Sequence, residues 1–403
     1  MNISALKNFL VAHNLNTPVM FYDENEAEKA VALISEYLKN SDIYFAVKSC
    51  YNLNLLRYFA RRGLGAEVMS ELELDLAQRA KFKKIILNGL GRPEACLIKA
   101  LKQKNTTLIV DTLRDLGIVK NYLAANPKAS CQLGIRLRFE AGGLQVATPY
   151  SNQENKLGNY VDSEVYKEFI ALIKNEKRAK WDIVHLHFTI NELCSEPYIA
   201  AMKILRQHLA DIRQKYAIMP QRIDLGGGIE VYSANREDKL KKLFIAVADE
   251  FAKLFSPQKL VMEPGRFLSA SAGYVLGKVV DIKKVKTKKW LVTDIGTNVL
   301  IPNQNARYEL LHPLPSDGGE NIGITDGITS GANNIIEDTY INQPVQIGDD
   351  IIIGGAGAYT DVYSTFWGYA PFVVCHIYKS GKIKITRSPE DVNLLHSVFF
   401  PKN

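Results

Sequence analysis

Eight short apolar segments alternate with helical patterns between residues 44 and 265 of this 403-residue chain. Consecutive parallel strands need a long crossover, usually a helix, so this alternation indicates a parallel sheet. Eight such units in sequence are typical of a (β/α)8 TIM barrel. The predicted strands carry the sequences YFAVK, GAEVM, KIILNG, TLIVD, QLGIRL, DIVHLHF, RIDLGGG and KLVMEPG. The sequence therefore predicts an α/β fold built on a TIM barrel.

The pattern changes after about residue 270, where apolar strands are separated by turn residues. These strands are YVLGKVVDI, KWLVTDIG, DDIIIGGAGAY, PFVVCHIY and KIKITRS. They predict a C-terminal antiparallel β domain. A further apolar segment, PVMFYD, precedes the barrel and is expected to join that domain. We therefore predict an N-terminal segment over 1–25 that joins the β domain, a barrel over 26–268 and a β domain over 269–403.

Composition excludes several classes of partner. Lys and Arg number 50 against 43 Asp and Glu, and this net charge of +7 comes without a basic helix interleaved with aromatics, so no nucleic-acid partner is expected. No apolar run reaches the roughly 20 residues that a membrane helix needs, and the N-terminus has no signal-peptide pattern. The five cysteines show no CxxC or metal-like spacing. We expect a cytoplasmic protein with no metal site.

The first predicted strand ends on a lysine, Lys48. Such a lysine either extends its ammonium group to solvent or lies at the barrel mouth as a partly desolvated nucleophile. Position alone leaves both readings open. The chemistry of TIM barrels lies at the carboxyl ends of their strands, so the other strand ends are informative. They carry Glu67 on the second strand, His187 on the sixth, a triple glycine after the seventh and the sequence EPGR after the eighth.

The strand ends together suggest a phosphate-bearing cofactor. Glycines 226–228 can present backbone N–H groups to a phosphate, and Arg266 adds a guanidinium group. Taken singly, the glycines are more often a turn, Glu263 can be a paired carboxylate and His187 a core histidine. As one set they suit pyridoxal phosphate, with a lysine to bond it and a carboxylate to pair with its pyridine nitrogen.

These motifs resemble those of the fold-type III pyridoxal-phosphate decarboxylases, the group of diaminopimelate, ornithine, arginine and carboxynorspermidine decarboxylases. The resemblance covers nearly the whole chain and is carried by YFAVKS, GLGAEVMSELEL, HLHF, DLGGGIE, MEPGRF, SGANNIIED and GAYTDVYSTFWG. It implies an alanine racemase-like barrel, pyridoxal phosphate as cofactor and a homodimer in which the partner's β domain completes each active site.

The resemblance also implies roles for single residues. Lys48 is the expected Schiff-base lysine, His187 the residue stacked on the cofactor, and Glu263 the partner of the pyridine nitrogen. The full set of expected cofactor residues is Lys48, Glu67, His187, Gly226, Gly227, Gly228, Glu263, Gly265, Arg266 and Tyr359. In this set Glu67 takes the place of a family aspartate near the lysine.

The sequence departs from the family on the substrate side. Asn334 lies where the family has the cysteine that protonates the product, and Ile190 replaces a serine after the sixth strand. Ile301 lies where an arginine commonly holds a substrate carboxylate. Tyr308 and Asp338 do match family positions, and with Asn334 they form the expected substrate residues. Candidates for the replacement proton donor are His187, Tyr363, Asp338, Cys194 and water.

These features favour decarboxylation of an amino acid, or of an amino-acid unit in a larger conjugate, in the biosynthesis of a polyamine, siderophore, antibiotic or similar metabolite. Racemases on this barrel place an arginine at the pyridine nitrogen, whereas Glu263 preserves the electron sink that loss of CO2 requires. Two alternatives stay open: a racemase or decarboxylation-coupled transaminase, and a non-catalytic homologue that binds a protein partner.

Overall fold

The computed structural model of this chain describes residues 2–138, 156–186, 193–301, 307–327, 334–368 and 370–396. It divides into two compact units, one of residues 30–267 and one that combines residues 1–29 with 268–403. Among the described residues, no helix combines the length and apolar character that a membrane span requires.

The chain begins with helix α1 (Ile3–Ala12) and strand β1 (Val19–Asp23). The next eight strands form a closed parallel barrel: β2 (Asp42–Ala46), β3 (Gly65–Val68), β4 (Ile85–Leu87), β5 (Thr106–Val110), β6 (Cys131–Leu137), β7 (Ala179–Leu186), β8 (Arg222–Asp224) and β9 (Lys259–Met262). The predicted TIM barrel is confirmed.

One helix precedes the first barrel strand, others lie between the strands, and the last, α10, is a single turn after β9. They are α2 (Glu24–Tyr37), α3 (Leu53–Arg61), α4 (Glu71–Ala80), α5 (Glu94–Leu101), α6 (Leu113–Ala125), α7 (Glu164–Asn175), α8 (Glu196–Tyr216), α9 (Glu237–Leu254) and α10 (Arg266–Ser269). Side-chain caps define where four of them begin: Asn52, Ser70, Thr112 and Ser163 each accept the N–H three residues ahead. Each such cap stabilises a helix by about 1 kcal/mol.

The barrel interior is apolar in the middle and polar at both ends. Its central cluster consists of the buried residues Tyr44, Ile86, Ile109, Ile183 and Val261. Gly65 makes room for the Tyr44 ring, because a Cβ at that position would lie 2.3 Å from a ring carbon. Side chains alternate along a strand, so residues two positions beyond this cluster point inward at the carboxyl end. Among them are Asn88, His185 and Glu263.

The second unit is built around a mainly antiparallel nine-stranded sheet. Its later elements are β10 (Gly273–Val285), β11 (Lys288–Thr293), β12 (Glu309–His312), β13 (Pro315–Asp326), β14 (Ile336–Ile341), β15 (Asp350–Gly354), β16 (Val373–Ile377), β17 (Ile383–Arg387) and α11 (Pro389–His396). The strand order is β14-β13-β11-β10-β1-β16-β17, with β15 paired to β10 and β12. Strand β1 pairs antiparallel with β10 and parallel with β16, and β11 pairs parallel with β13.

Candidate active site

Lys48 lies in a single 3-10 turn, Val47–Ser49, directly after β2, so the strand ends two residues before the lysine. The turn is closed by the Ser49 hydroxyl, which donates to the carbonyl of Ala46 at 2.8 Å. The Lys48 side chain is 30% exposed and its Nζ lies 3.1 Å from Oε2 of Glu67. Because Ala46 and Glu67 are paired across β2 and β3, both charged groups lie at the carboxyl end of the barrel.

Three fully buried ionisable groups lie at the same end of the barrel. The imidazole Nδ1 of His185 is 3.0 Å from Oδ2 of Asp224 and 3.6 Å from Oε1 of Glu263. One donor atom from each of the three residues lies within 4.8 Å of the others, a grouping that could also hold a metal ion. His185 pairs with Arg136 on β6 and with Asp224 on β8, so strand register brings the cluster together.

Burial shifts the pKa of every member of this cluster. It raises the pKa of Glu263 well above its ordinary range, and the neighbouring Asp224 carboxylate raises it further. Burial also raises the pKa of Asp224 to about 7 and lowers the pKa of His185 to about 4. At neutral pH the histidine is therefore neutral, and the two carboxyl groups differ in how firmly they hold a proton.

The triple glycine forms a tight loop against Glu263. Gly226 and Gly228 have φ angles of +74° and +80°, which glycine adopts without strain. A Cβ on Gly227 would lie 2.5 Å from the Glu263 carbonyl oxygen. The backbone N–H of Gly226 donates to Oδ1 of Asp224 at 2.8 Å. All three positions therefore favour glycine, as a loop whose backbone contacts a phosphate would.

The turn after β9 carries Gly265 and Arg266. A Cβ on Gly265 would lie 3.0 Å from the side chain of Ser49, so the glycine allows this turn to pack against the turn that carries Lys48. Arg266 opens α10, its side chain is 10% exposed, and its Nη1 is 3.8 Å from Oε1 of Glu230. A nearly buried guanidinium group thus lies beside Glu230, two residues beyond the glycine loop.

The expected residues of the second unit lie on its loops and sheet surface. Tyr359 follows β15 with a φ of +58°, and its ring stacks on that of Tyr363 at 5.9 Å. The Tyr308 hydroxyl donates to the carbonyl of Ile301 at 3.2 Å, and burial raises the pKa of Tyr308. The Asn334 amide donates to Glu337 at 2.9 Å.

Asp338 lies on β14 with a side chain 59% exposed. It accepts from Lys288 at 2.9 Å and from Asn321 at 3.2 Å. The bond from Lys288 lowers the pKa of this carboxyl group, which makes Asp338 a poorer proton donor.

His187 and Ile190 lie outside the described residues. The structure instead reveals His185 and Asp224, which sequence reasoning did not select. The alternation of side chains along a strand could have identified both, because residues two positions apart lie on the same face. His185 is two positions before His187 in DIVHLHF, and Asp224 is two positions before the first glycine in RIDLGGG.

Residues 24–270 match the family described as "Pyridoxal-dependent decarboxylase, pyridoxal binding domain". This chain belongs to that family. A diaminopimelate decarboxylase from Methanocaldococcus jannaschii is 26% identical over 331 residues, which are 79% of this chain and 74% of the relative. The resemblance recognised in the sequence motifs is therefore confirmed, and so is the assignment as a pyridoxal-phosphate-dependent amino-acid decarboxylase.

Solved structures agree with the fold. The crystal structure of the M. jannaschii diaminopimelate decarboxylase has a TM-score of 0.81 at 21% identity and covers 95% of this chain and 93% of its own. The Helicobacter pylori diaminopimelate decarboxylase complexed with L-lysine has a TM-score of 0.79 at 23% identity, with coverage of 96% and 99%.

The residues of the barrel mouth fit pyridoxal phosphate. The loop that admits no Cβ at Gly227 can take the phosphate, and Lys48 at the same end of the barrel would supply the amine. The buried carboxyl group of Glu263 can pair with the ring nitrogen. When bound, the cofactor supplies an electron-withdrawing ring that accepts the electron pair left by a departing CO2.

Proposed function

We propose that this decarboxylase acts on a diamino acid and that Lys48, Glu67 and Glu263 carry out its chemistry. The substrate Cα–carboxylate bond breaks, CO2 leaves, and a proton takes its place at Cα. The observation that carries the proposal is the pairing of Lys48 with Glu67 at 3.1 Å, in the same barrel end that holds the buried Glu263.

Glu67 has two roles in this proposal. Its carboxylate is 2% exposed and lies 3.1 Å from the Lys48 ammonium group at the carboxyl end of the barrel. It also offers an acceptor for the proton that the lysine must lose before it can act as a nucleophile. Glu263 holds a proton at a carboxyl oxygen, because burial raises its pKa. That proton suits a pyridine nitrogen, which withdraws electrons best when protonated.

Diaminopimelate is the first substrate to test, because the relatives and solved structures reported above are diaminopimelate decarboxylases. A second candidate is an amino-acid unit within a larger conjugate, as in specialised biosynthesis. Ile301 favours this candidate, since an aliphatic side chain at that position cannot bind the distal carboxylate of a free diamino diacid.

We also propose a homodimer. Three aromatic side chains are exposed on one loop of the second unit: Tyr363 at 47%, Phe366 at 37% and Trp367 at 55%. Large exposed apolar patches mark interaction surfaces, and three aromatic side chains within five residues supply the material for one. Trp367→Ser combined with Phe366→Ser should shift the mass measured by light scattering from two chains towards one. A wild-type protein that is monomeric at micromolar concentration would refute the proposal.

The experiment that tests the function is CO2 trapping with purified protein and added pyridoxal phosphate. The substrates are meso-diaminopimelate, lysine, ornithine and arginine, each free and as an amide conjugate. CO2 from diaminopimelate supports the first candidate, and CO2 from conjugates alone supports the second. Retention of all carboxyl groups, with inversion at Cα, would replace both with a racemase.

A further inference from the structure

Tyr51 connects the loop that carries Lys48 to the start of helix α4. Its hydroxyl donates to Oε1 of Glu73 at 2.8 Å. Tyr51 lies three residues after Lys48 and before helix α3 begins, whereas Glu73 is in the first turn of α4. The pair of Lys48 with Glu67, at 3.1 Å, joins the same loop to β3, the strand that leads into α4. Two side-chain contacts therefore link these neighbouring parts of the barrel end.

Glu73 is a fully buried carboxyl group with a donor on each oxygen. Oε1 accepts from Tyr51, and Oε2 accepts the backbone N–H of Met69 at 2.8 Å. Its own backbone N–H donates to the capping hydroxyl of Ser70 at 3.3 Å. Burial raises the pKa of Glu73, while the bonds from Met69 and Tyr51 act to lower it. The two donors thus fix the orientation of the Glu73 side chain.

Glu73 lies beside the turn of the lysine. Helix α4 packs against the turn Val47–Ser49, and the charges of Glu67 and Lys48 both act on the Glu73 carboxyl group. A buried carboxylate oxygen that loses its donor is costly unless another donor replaces it. Without the Tyr51 hydroxyl, Oε1 of Glu73 would accept from the Lys48 ammonium group, in competition with Glu67. With the hydroxyl in place, that oxygen is satisfied and Lys48 pairs with Glu67.

Other ionisable groups surround the pair of Lys48 and Glu67 on the remaining strands. Those that act on one or the other are Arg136 on β6, His185 on β7, Asp224 on β8 and Glu263 on β9. Removal of the Tyr51 hydroxyl alters none of these side chains. A change in the reactivity of Lys48 on that removal would therefore report on the Glu73 carboxylate.

We propose that Tyr51 is a positioning residue that binds the Glu73 carboxylate and so reserves Glu67 as the partner of Lys48. Its meaning for catalysis rests on the proposed function, in which Lys48 must lose a proton before it acts as a nucleophile. A lysine between two carboxylates holds its proton more tightly than a lysine beside one. The Tyr51 hydroxyl therefore makes Lys48 easier to deprotonate.

The test measures how readily Lys48 reacts in the cofactor-free full-length protein. The protein is labelled with a trace of acetic anhydride over a series of pH values, and mass spectrometry of the Lys48 peptide gives the pH midpoint of the reaction. Tyr51→Phe should raise this midpoint by about one pH unit, which is a tenfold slower labelling at each pH below it. Adding Glu73→Gln to Tyr51→Phe should return the midpoint to the wild-type value or below, because glutamine carries no charge.

Tyr166→Phe is the matched control. It removes a tyrosine hydroxyl that lies 2.9 Å from Nε2 of His208, so it also loses one contact between a hydroxyl and a side chain. Because that contact joins α7 to α8, the control should leave the Lys48 midpoint in place.

Two results would overturn the proposal: an unchanged midpoint in Tyr51→Phe, or a raised midpoint that persists in the double variant. If Tyr51→Phe does not fold, Glu73→Gln alone decides. It should move the midpoint by less than about half a pH unit, and a fall of about one unit or more would show that Tyr51 does not keep Glu73 from Lys48. The labelling needs neither cofactor nor substrate. Its failure is therefore distinguishable from failure of the proposed function, which would show as no CO2 from the wild type.

Discussion

Both ends of the barrel interior carry charged side chains, but the two ends differ in how the acidic groups are balanced by cations. At the amino end, Arg222 donates to Asp182 through Nε at 2.9 Å, and Lys84 and Lys259 each bond Asp42. At the carboxyl end, acidic groups outnumber nearby cations, and burial raises the pKa of Asp224 to about 7. Paired charges stabilise the barrel at the amino end. At the carboxyl end, the raised pKa of Asp224 lets this acid gain or lose a proton near neutral pH.

The pKa of Asp42 shows the contrast in a single group. Burial acts to raise the pKa of this carboxyl, but hydrogen bonds from Lys259 and Lys84 outweigh it and lower the pKa. Asp224 is also buried, yet its hydrogen-bond donors are the neutral imidazole of His185 and the backbone amide of Gly226. Neutral donors compensate burial only in part, so its pKa stays high.

The largest expected effect comes from the carboxyl-end lysine. Lys48→Ala should abolish CO2 release, because it removes the amine that bonds the cofactor. Lys48→Arg is the matched control: it keeps a positive charge opposite Glu67 but cannot form the bond, so it should be equally inactive and as stable as the wild type. Decarboxylation by either variant at more than a trace of the wild-type rate would refute the role of Lys48.

The next effect is on stability, at the amino end. Arg222→Met should lower the free energy of unfolding by about 3–5 kcal/mol, because it leaves the buried Asp182 without its charge partner. Lys84→Met, whose lysine side chain is 47% exposed, should cost less than about 1 kcal/mol. Urea unfolding measures both. Equal losses in the two variants would remove the distinction between buried and exposed pairs at this end.

Glu263→Gln, at the carboxyl end, should leave stability nearly unchanged but reduce turnover. A protonated glutamate and a glutamine are both neutral, so the stability of the cofactor-free protein should change by less than about 1 kcal/mol. Turnover should nevertheless fall roughly 10²-fold, because the ring nitrogen loses its ionisable partner. Undiminished turnover with bound cofactor would show that Glu263 has no catalytic role.

The smallest effect is a slope in the pH dependence of stability. The folded pKa of Asp224, about 7, is above the ordinary value near 4, so the folded state holds this proton more tightly. Its contribution is present in acid and is lost as the pH rises towards 7, with a slope of at most about 1.4 kcal/mol per pH unit. Thermal unfolding of cofactor-free protein between pH 5 and 8 should show this decline in the wild type and a flatter curve in Asp224→Asn. Parallel curves would contradict it.

The sequence predicted the parts of the barrel that depend on local pattern. Apolar strands, capped helices and glycines that follow a strand are written in consecutive residues, so Lys48, Glu263 and the glycine loop could be selected directly. The polar cluster depends instead on register between distant strands. Arg136, His185 and Asp224 are neighbours only because β6, β7 and β8 pair as they do.

Side-chain pairs between residues far apart in the chain were equally unpredictable from the sequence. Asp338 matched a family position, but the approach of Lys288 from β11 is a contact over 50 residues that no local motif encodes. The amino-end cluster had no motif either, since Asp182 and Arg222 meet across 40 residues. Long-range polar contacts are specific to each packed interior, which is why sequence patterns underdetermine them.

The most direct test locates the covalent bond to the cofactor. Wild-type protein is loaded with pyridoxal phosphate, reduced with borohydride and digested, and the labelled peptide is identified by mass spectrometry. We predict the label on Lys48, at the acid-rich end of the barrel. A label on Lys84 or Lys259, at the charge-paired end, or on no lysine at all, would contradict the assignment of the active site.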